Sequence, residues 1–495
     1  MAIEAHTPAP GTDGKTVQDY IDELPVWSDG TTLNAPPMTG MQWRIWSLAA
    51  AGKFFEGFVV FMTGVALPLV VRQFNLGPAD RGVASAASLA GILFGALFLG
   101  GLSDYFGRKR MFITEMILFC VFLALLILSG NFATLVICLF GLGLALGCDY
   151  PTAHMIISES TPSANRGRLV IGAFGFQAVG ALAGTGIGWL VLVLVPKLSA
   201  WRWMFGTALV PAVIVTVGRF FVTESPSWLV VRGEHDEAER TAFRLLERWP
   251  QYPKTIKLAR PDKSRKERPR QSFTALFDAR NRRATILASV PWFIQDVSTY
   301  GIGIFTPTIL ASVLRGGPDR IRSLSDSIAA AILAAQGAAL ITILLIVGIA
   351  FAVVLADKLG RIRLQIFGFI GCAVGLLIAS FSVDAAGITK LVVIFAGFML
   401  FNFMTNLGPN SQTYLLAGEV FPTEVRGMGA GFSAAFAKIG AVTTAFLFPV
   451  VLAGIGTRLL LYSLALSSLL GAAVTWRYRI ETTGVSLDRI GQAED

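Results

Sequence analysis

Long apolar stretches alternate with short polar segments along almost the whole chain. Each stretch is about as long as a bilayer-crossing helix, which needs about 20 mostly apolar residues. One longer polar segment divides the stretches into two sets of six, so the pattern predicts an all-α membrane protein with two six-helix halves. The predicted spans are approximately 46–71, 82–103, 111–130, 133–157, 169–195, 201–222, 286–313, 328–356, 363–382, 388–416, 429–453 and 457–477.

The polar segments complete the predicted domain plan. The N-terminal tail contains several prolines and acids but no early apolar core, so we expect a disordered tail and no cleavable signal peptide. The predicted divisions are a tail at 1–44, an N-terminal half at 45–222, a linker at 223–285, a C-terminal half at 286–478 and a second tail at 479–495.

Composition supports the membrane class and excludes several others. Hydrophobic residues make up 54% of the chain and charged residues 15%, whereas a soluble domain has about 25% charged residues. The four cysteines lie in apolar stretches without metal-ligand spacing, and we find no Walker loop or nucleophile elbow. We therefore expect no cofactor, no metal and no enzymatic activity, with energy supplied by an ion or solute gradient.

The net charge of +9 is concentrated in particular loops. Basic clusters follow the second, fourth, sixth and eighth spans, and Lys358, Arg361 and Arg363 form the last of these. Since cytoplasmic loops carry an excess of lysine and arginine, this side and both termini are predicted to be cytoplasmic. The distribution indicates membrane topology rather than nucleic-acid binding.

Two loop motifs occur once in each half. The stretch 101–110 follows the second span and 355–363 follows the eighth, each with an Asp-x-x-Gly-Arg pattern. A Glu and an Arg after the fourth span recur after the tenth at an offset of 260 residues. We expect these charges to form salt bridges at the helix ends that act as a conformational gate. The gating candidates are Asp104, Arg108, Glu159, Arg166, Asp357, Arg361, Glu419 and Arg426.

These motifs resemble the major facilitator superfamily, in particular its sugar-porter and phosphate:proton-symporter branch. Residues 224–229 look like the sugar-porter signature that closes the sixth helix, and 419–426 look like its partner after the tenth. The resemblance covers about residues 45–480. It implies the major facilitator fold, alternating access, function as a monomer in the plasma (inner) membrane, and a small-molecule substrate moved with protons.

Two further stretches resemble phosphate:proton symporters, namely 147–151 and 408–410 together with Lys438. The first helix departs from that pattern, because Glu56 and Val59 stand where those symporters carry two aspartates. A small organic solute therefore remains an alternative to phosphate as the substrate. Hexose is disfavoured, because this chain lacks the paired glutamine and asparagine that are typical of the seventh helix in hexose porters. By resemblance, Tyr150, Gln177, Trp292, Asp296, Tyr300 and Asn410 contact phosphate, Asp149 handles protons, and Lys438 is a basic site residue.

Four ionisable residues lie well inside the predicted spans: Glu56, Asp149, Asp296 and Lys438. A charge in the bilayer is costly, so such groups face a cavity or a partner. Glu56, Asp149 and Asp296 are our candidates for proton coupling. The alternative is a structural ion pair, for example Lys438 with Glu56 or Asp149.

Polar side chains also recur at helical spacing. Trp292, Asp296 and Tyr300 occupy one face of the seventh span, although an aromatic stripe at a helix interface would have the same spacing. The internal repeat aligns Tyr150 with Asn410 and His154 with Tyr414, so we expect these faces to meet across the pseudo-twofold axis. Lys438, one position from the repeat equivalent of Gln177, favours an anionic substrate.

The sequence thus predicts a secondary active transporter, specifically a proton-coupled symporter of a small polar or anionic solute such as inorganic phosphate or a small organic acid. A sugar or polyol porter and a non-transporting, transporter-like receptor remain alternatives, and sodium coupling stays open. The absence of an evident output domain disfavours the receptor.

Overall fold

The computed structural model describes residues 15–24, 37–99, 102–163, 166–247, 256–259, 272–314, 324–422 and 425–483. Within these ranges the chain is almost entirely helical, and the single β-bridge joins Lys15 to Leu258. The prediction of an all-α protein is confirmed.

The N-terminal half contains six long hydrophobic helical elements and several short helices. The sixth element is divided into two helices separated by a turn at residues 207–208. The helices are α1 (Val17–Asp22), α2 (Gly40–Phe74), α3 (Pro78–Phe94, continued as a π-helical segment over Gly95–Leu99), α4 (Leu102–Phe106), α5 (Arg108–Leu128), α6 (Phe132–Ser160), α7 (Arg166–Leu194), α8 (Ala200–Gly206) and α9 (Leu209–Phe220).

The linker contributes two short helices and a 3-10 turn at Phe273–Phe277, and the C-terminal half repeats the long-helix pattern. The tenth span is divided at Gly408, directly before Pro409. The remaining helices are α10 (Pro226–Val231), α11 (His235–Leu246), α12 (Arg282–Leu314), α13 (Leu324–Leu359), α14 (Arg361–Ser380), α15 (Gly387–Leu407), α16 (Pro409–Glu419) and α17 (Arg426–Arg477).

Ten helical elements of the described chain are long and apolar enough to cross a bilayer. One of them, α17, has 52 residues, about 78 Å at 1.5 Å per residue, which is more than twice a hydrocarbon core of about 30 Å. Its backbone breaks at Gly456, where φ is 77°, so α17 supplies two spans. The ten elements therefore supply eleven spans. The 33-residue α12, which is not among the ten, covers the predicted span 286–313 and is the twelfth span.

The outer surface of the bundle is apolar, as expected for helices facing lipid. Large hydrophobic side chains are strongly exposed along several spans, for example Leu128, Leu194 and Leu466. A water-soluble monomer rarely exposes apolar patches of this extent. The surface therefore agrees with an integral membrane protein.

The N-terminal tail is more ordered than the sequence suggested. Thr39 caps α2, which begins at Gly40, and the Thr39 hydroxyl also donates to the carbonyl of Leu245 in α11. Helix α1 buries Val17 and Ile21 against a hydrophobic cluster that includes residues of α11. The prediction of a disordered tail over 1–44 is wrong for residues 15–24, because α1 has its own apolar face, and for residues 37–44, because α2 already begins at Gly40. Residues 1–14 and 25–36 lie outside the described ranges.

The two halves touch at both ends of the bundle. We call the end that carries residues 102–110 and 355–363 the motif end. There, Ile171 of α7 packs with Ile349 and Ala352 of α13. At the opposite end, Gly64 of α2 approaches the carbonyl of Ile304 in α12 so closely that a Cβ would clash. The structure is therefore closed on both sides of its centre.

Candidate functional site

A group of four charged side chains lies buried at the centre of the interface between the halves. Lys53 and Glu56 come from α2, Asp296 from α12 and Lys438 from α17. The Lys53 ammonium lies 2.7 Å from Glu56 Oε2. The Lys438 ammonium lies 3.2 Å from Asp296 Oδ2 and 3.7 Å from Glu56 Oε1. We call these four residues the central charge cluster.

Two neutral polar side chains complete the cluster. Lys438 Nζ donates to the Tyr300 hydroxyl at 2.7 Å, and that hydroxyl donates to Glu56 Oε1 at 3.2 Å. Gln177 Nε2 lies 3.1 Å from both Glu56 Oε1 and the Tyr300 hydroxyl. Glu56 with Gln177 from the first half thus faces Asp296, Tyr300 and Lys438 from the second.

The cluster is balanced, with two ammonium groups and two carboxylates when all are ionised. Their side chains are between 2% and 9% exposed. A buried ion pair contributes little net stability, but removing one partner leaves an uncompensated charge that costs about 3–5 kcal/mol. The arrangement therefore opposes any movement that separates these charges without a replacement ion or a proton.

A small cavity of about 20 Å³ lies next to Tyr300 and Gln177. Asn410 and Asn406 contribute amides to its wall, and Asn410 Nδ2 donates to Asn406 Oδ1 at 2.6 Å. Asn406 in turn donates to the carbonyl of Leu345 at 2.8 Å. The cavity thus combines polar donors and acceptors with an apolar side formed by Phe61, Ala178 and Ala181.

An aromatic layer covers the central cluster towards the motif end. His154 Nδ1 lies 3.0 Å from the Tyr414 hydroxyl, so the two repeat-related residues do meet across the halves. Phe174 stacks on Tyr414 with ring centroids 4.5 Å apart. Trp292 meets the same ring edge-on at 6.1 Å. Trp292 therefore packs in this layer, while Asp296 and Tyr300 take part in the charge cluster.

Asp149 lies in a separate buried group inside the N-terminal half. Arg219 Nη2 lies 2.6 Å from Asp149 Oδ1, and Arg219 Nη1 lies 2.8 Å from Glu115 Oε1. The guanidinium is fully buried and also lies 3.5 Å from the centroid of the Phe112 ring. Two carboxylates thus share one arginine.

This arrangement corrects the expected surroundings of Asp149. The alternative pairing with Lys438 is wrong, because Asp149 pairs with Arg219 instead. Asp149 lies against Gly52 of α2, where any side chain would collide with its carboxylate. Tyr150 continues helix α6, but its side chain lies outside the described parts of the structure.

Three charged members of these groups escaped the sequence analysis: Lys53, Glu115 and Arg219. Lys53 lies inside the first predicted span. It is therefore an ionisable residue within an apolar stretch, which is the feature by which Glu56 was identified. Glu115 and Arg219 lie near the ends of predicted spans, where charges are ordinarily solvated. Only the tertiary packing of α5, α6 and α9 shows that they are buried together.

The first loop motif forms a network within the N-terminal half. Arg108 Nη2 lies 2.8 Å from Asp104 Oδ1 and 3.3 Å from Glu159 Oε1. Ser225 donates to the other oxygen of Glu159. Glu224 accepts from the backbone N–H of Lys109 at 2.9 Å. The turn between α4 and α5 is therefore fastened to α6 and to the segment after α9.

The second loop motif repeats this construction in the C-terminal half. Arg361 Nε lies 2.7 Å from Glu419 Oε2, to which Thr482 donates at 2.6 Å. Glu481 accepts from the backbone N–H groups of Arg361 and Ile362. Partial burial works to raise the pKa of Glu481, but hydrogen bonds from Thr483 and these N–H groups outweigh it and lower that pKa.

The remaining gating candidates are placed differently. Arg166 was expected to join the network of Glu159, but it donates to Gln18 of α1 at 2.8 Å, because the ordered tail places the Gln18 amide beside it. Arg426 Nε donates to the carbonyl of Phe421 at 3.2 Å. The side chain of Asp357 lies outside the described residues. The motif salt bridges given above each join residues of one half.

Comparison with known proteins identifies the family. A family model described as "Sugar (and other) transporter" matches residues 46–493. The chain belongs to this transporter family. It is 28% identical over 460 residues to the inner membrane metabolite transport protein YgcS of Escherichia coli, covering 92% of this chain and 95% of that protein. The glucose transporter GlcP of Staphylococcus epidermidis is 27% identical, with 92% and 97% covered.

Solved structures confirm the fold of this family member. The xylose transporter XylE of Escherichia coli, in a partially occluded inward-open conformation, superposes with a TM-score of 0.71 and 19% identity. The match covers 90% of this chain and 100% of XylE. The fold is therefore that of the major facilitator superfamily, as the sequence predicted. The family match makes the protein a membrane transporter rather than an enzyme, which was also predicted.

Proposed function

We propose that this protein is a proton-coupled symporter of a small anionic solute that works by alternating access. The observation that carries the proposal is the central charge cluster, which lies buried between the halves beside a polar cavity. Phosphate and small carboxylates are the solute classes that suit it best.

The cluster suggests a simple coupling scheme. With Glu56 and Asp296 ionised, Lys438 is already neutralised and has little charge to offer a solute anion. Protonation of one carboxylate would release that charge, so a proton and an anion would enter together with no net change in the buried charge. A buried group with several charged partners is suited to proton exchange of this kind.

The solute would bind in the cavity beside the cluster. Lys438, which donates to the lining residue Tyr300, would supply the cation, while Gln177, Tyr300 and Asn410 would supply hydrogen-bond donors. Trp292 would close the site through the aromatic layer rather than by direct contact. Tyr150 keeps the solute-binding role that its sequence position suggests.

Asp149 would act as a second proton-handling group with Glu115. If both acids were ionised, the single Arg219 would leave one buried negative charge uncompensated. A shared proton between the acids removes that charge. Loss or gain of this proton would change how tightly α5, α6 and α9 are held together, and so couple protonation to the conformation of the N-terminal half.

The loop networks would control access from the motif end, which we propose is cytoplasmic, in the plasma (inner) membrane of a functional monomer. Arg108 with Glu159, and Arg361 with Glu419, fasten the helix ends within each half. Asp104, Arg166, Asp357 and Arg426 would adjust these networks as the halves rock. Such bridges are bistable elements that a transport cycle can make and break.

A sugar or polyol is the second candidate substrate. The matched family is described by sugar transport, and the cavity wall carries the amides and hydroxyls that bind hydroxylated solutes. A neutral solute would leave the two lysines without a role in binding. The charge of the substrate therefore separates the two candidates.

Uptake into proteoliposomes tests the proposal. Purified protein would be supplied with labelled phosphate, small mono- and dicarboxylates, xylose and glucose, with and without an inward proton gradient. We expect an anion to accumulate only when the gradient is present and a proton ionophore to abolish that accumulation. Accumulation of a sugar alone would favour the second candidate, and binding without any flux would indicate a receptor.

A further inference from the structure

A second, larger pocket lies at the motif end of the C-terminal half. It is formed by the start of α12, the turn between α13 and α14, and the segment that follows α17, and its volume is about 540 Å³. Four basic side chains line it: Arg283, Lys358, Arg363 and Arg479. We call this the basic pocket; it is distinct from the central cavity.

The positive charge of the basic pocket is not cancelled within it. Glu481 is the one acid among the described lining residues. Both of its oxygens are already occupied, since Oε1 accepts from the backbone N–H of Arg361 and from the Thr483 hydroxyl, and Oε2 accepts from the N–H of Ile362. Glu481 therefore serves the start of α14, and the pocket keeps an excess of cations.

Two of the basic side chains are held in position and two are available. Arg283 Nη2 donates to the carbonyl of Arg479 at 2.7 Å. The Arg479 guanidinium lies 5.5 Å from the centroid of the Trp476 ring and also donates to the backbone carbonyl of Trp476. Lys358 and Arg363 are exposed and make no hydrogen bond or ion pair with any other residue that the structure describes.

The equivalent corner of the N-terminal half is closed by protein. There, Trp228 of α10 donates to the carbonyl of Asp104 and packs near Gly107, while Arg232 donates to the carbonyl of Tyr105. In the C-terminal half, Glu481 takes the place over Gly360 that Glu224 has over Gly107. The described residues at this corner contribute basic side chains.

The rim of the basic pocket adjoins the lipid-facing surface. Leu359, which lines the pocket, is 47% exposed, and Trp476 at the end of α17 is 61% exposed. Exposed tryptophan at the end of a span is typical of the membrane–water interface. A ligand with an anionic head and an apolar tail matches both parts of this site, and basic pockets between membrane helices bind anionic headgroups.

We propose that the basic pocket binds the phosphate group of an anionic phospholipid headgroup. The site does not depend on the identity of the transported solute. A free phosphate compound shares the headgroup chemistry, so the test must separate the two sources.

Native mass spectrometry of the full-length protein with short-chain lipids tests the site. The probes are dioctanoyl phosphatidylglycerol, dioctanoyl phosphatidylcholine and inorganic phosphate. The variant is Lys358→Gln with Arg363→Gln, and the matched control is Arg110→Gln, an exposed arginine at the repeat position of Arg363. Equal thermal unfolding of the variants would show that each is folded.

We expect phosphatidylglycerol to bind the wild type at least about tenfold more tightly than phosphatidylcholine, and the double variant to lose about tenfold or more of that affinity. Arg110→Gln should keep it. Equal binding of both lipids, unchanged binding to the double variant, or an equal loss in the control would overturn the proposal. Displacement of the lipid by inorganic phosphate at matching concentration would reassign the pocket to free phosphate compounds.

Discussion

Glu56 and Lys438 come from opposite halves of the chain, yet Oε1 of the first lies 3.7 Å from Nζ of the second. Tyr300 bridges the same two groups through its hydroxyl. Any conformational change that separates the halves at this point must break these contacts while the charges remain poorly solvated. We therefore expect solute binding, protonation and the movement of the halves to be coupled through Lys438.

Replacement of Lys438 should distinguish an anionic from a neutral substrate. Lys438→Gln removes the cation beside the cavity but keeps hydrogen-bonding capacity. We expect the affinity for an anionic solute to fall at least about tenfold, since a hydrogen bond to a charged group contributes about 1.5–3 kcal/mol. Equilibrium binding by isothermal titration measures this change. Lys197→Gln, at an exposed loop position, is the control, and equal affinity in both variants would contradict an anion site at Lys438.

The buried arginine of the N-terminal half should be important for stability. Arg219→Gln leaves Glu115 and Asp149 buried without their cation, which we expect to cost about 3–5 kcal/mol of unfolding free energy. Asp149→Asn should cost less, because it also removes the repulsion between two acids. Urea unfolding followed by tryptophan fluorescence in detergent compares the variants. If Arg219→Gln proved as stable as Asp149→Asn, the two acids would not depend on the shared arginine.

The loop network should depend more on Glu159 than on Asp104. The Asp104 side chain is 68% exposed and that of Glu159 is 17% exposed, and exposed ion pairs are typically worth less than about 1 kcal/mol. Glu159→Gln should therefore slow transport several-fold, while Asp104→Asn should have a smaller effect. Initial uptake rates, corrected for the amount of protein in the membrane, provide the comparison. The reverse order would show that the exposed pair controls the gate.

The ordered part of the tail should protect the motif end of the N-terminal half. Ile21 is fully buried, and Gln18 accepts from Arg166. Ile21→Asp should detach α1 and increase backbone hydrogen exchange at residues 161–163, which hydrogen-bond to α1, at least about tenfold. Glu23→Gln is the control, because the Lys15–Glu23 pair is largely exposed. Unchanged exchange in Ile21→Asp would mean that α1 does not protect this loop.

The membrane spans and the internal repeat were readable from the sequence because both depend on local periodicity. Asp296 and Lys438 were also identified, since a charge within an apolar stretch needs a partner, and Tyr300 was identified by its helical spacing from Asp296. The choice of partner is a property of tertiary packing. Sequence could not show that Asp149 pairs with Arg219 while Lys438 pairs with Asp296, nor that Trp292 turns towards Tyr414.

The order in the tail was missed for a related reason. Helix α1 has only six residues, with two buried positions, Val17 and Ile21. Isolated helices of this length are unstable in water, so the local sequence carried little signal. Its stability comes from residues such as Ser163, which hydrogen-bonds to Asp22 and lies far away in the chain.

Of the two carboxylates beside Lys438, we propose that Asp296, the nearer one at 3.2 Å, carries the proton that is coupled to solute movement. Asp296→Asn mimics the protonated carboxyl and leaves Lys438 with Glu56. Uphill uptake driven by a proton gradient and solute counterflow without a gradient would be measured in the same proteoliposomes, with the exposed acid variant Asp384→Asn as the control. We predict that Asp296→Asn loses at least about tenfold of the uphill uptake while retaining counterflow, and that Asp384→Asn keeps both. Normal, pH-dependent accumulation by Asp296→Asn would contradict the account.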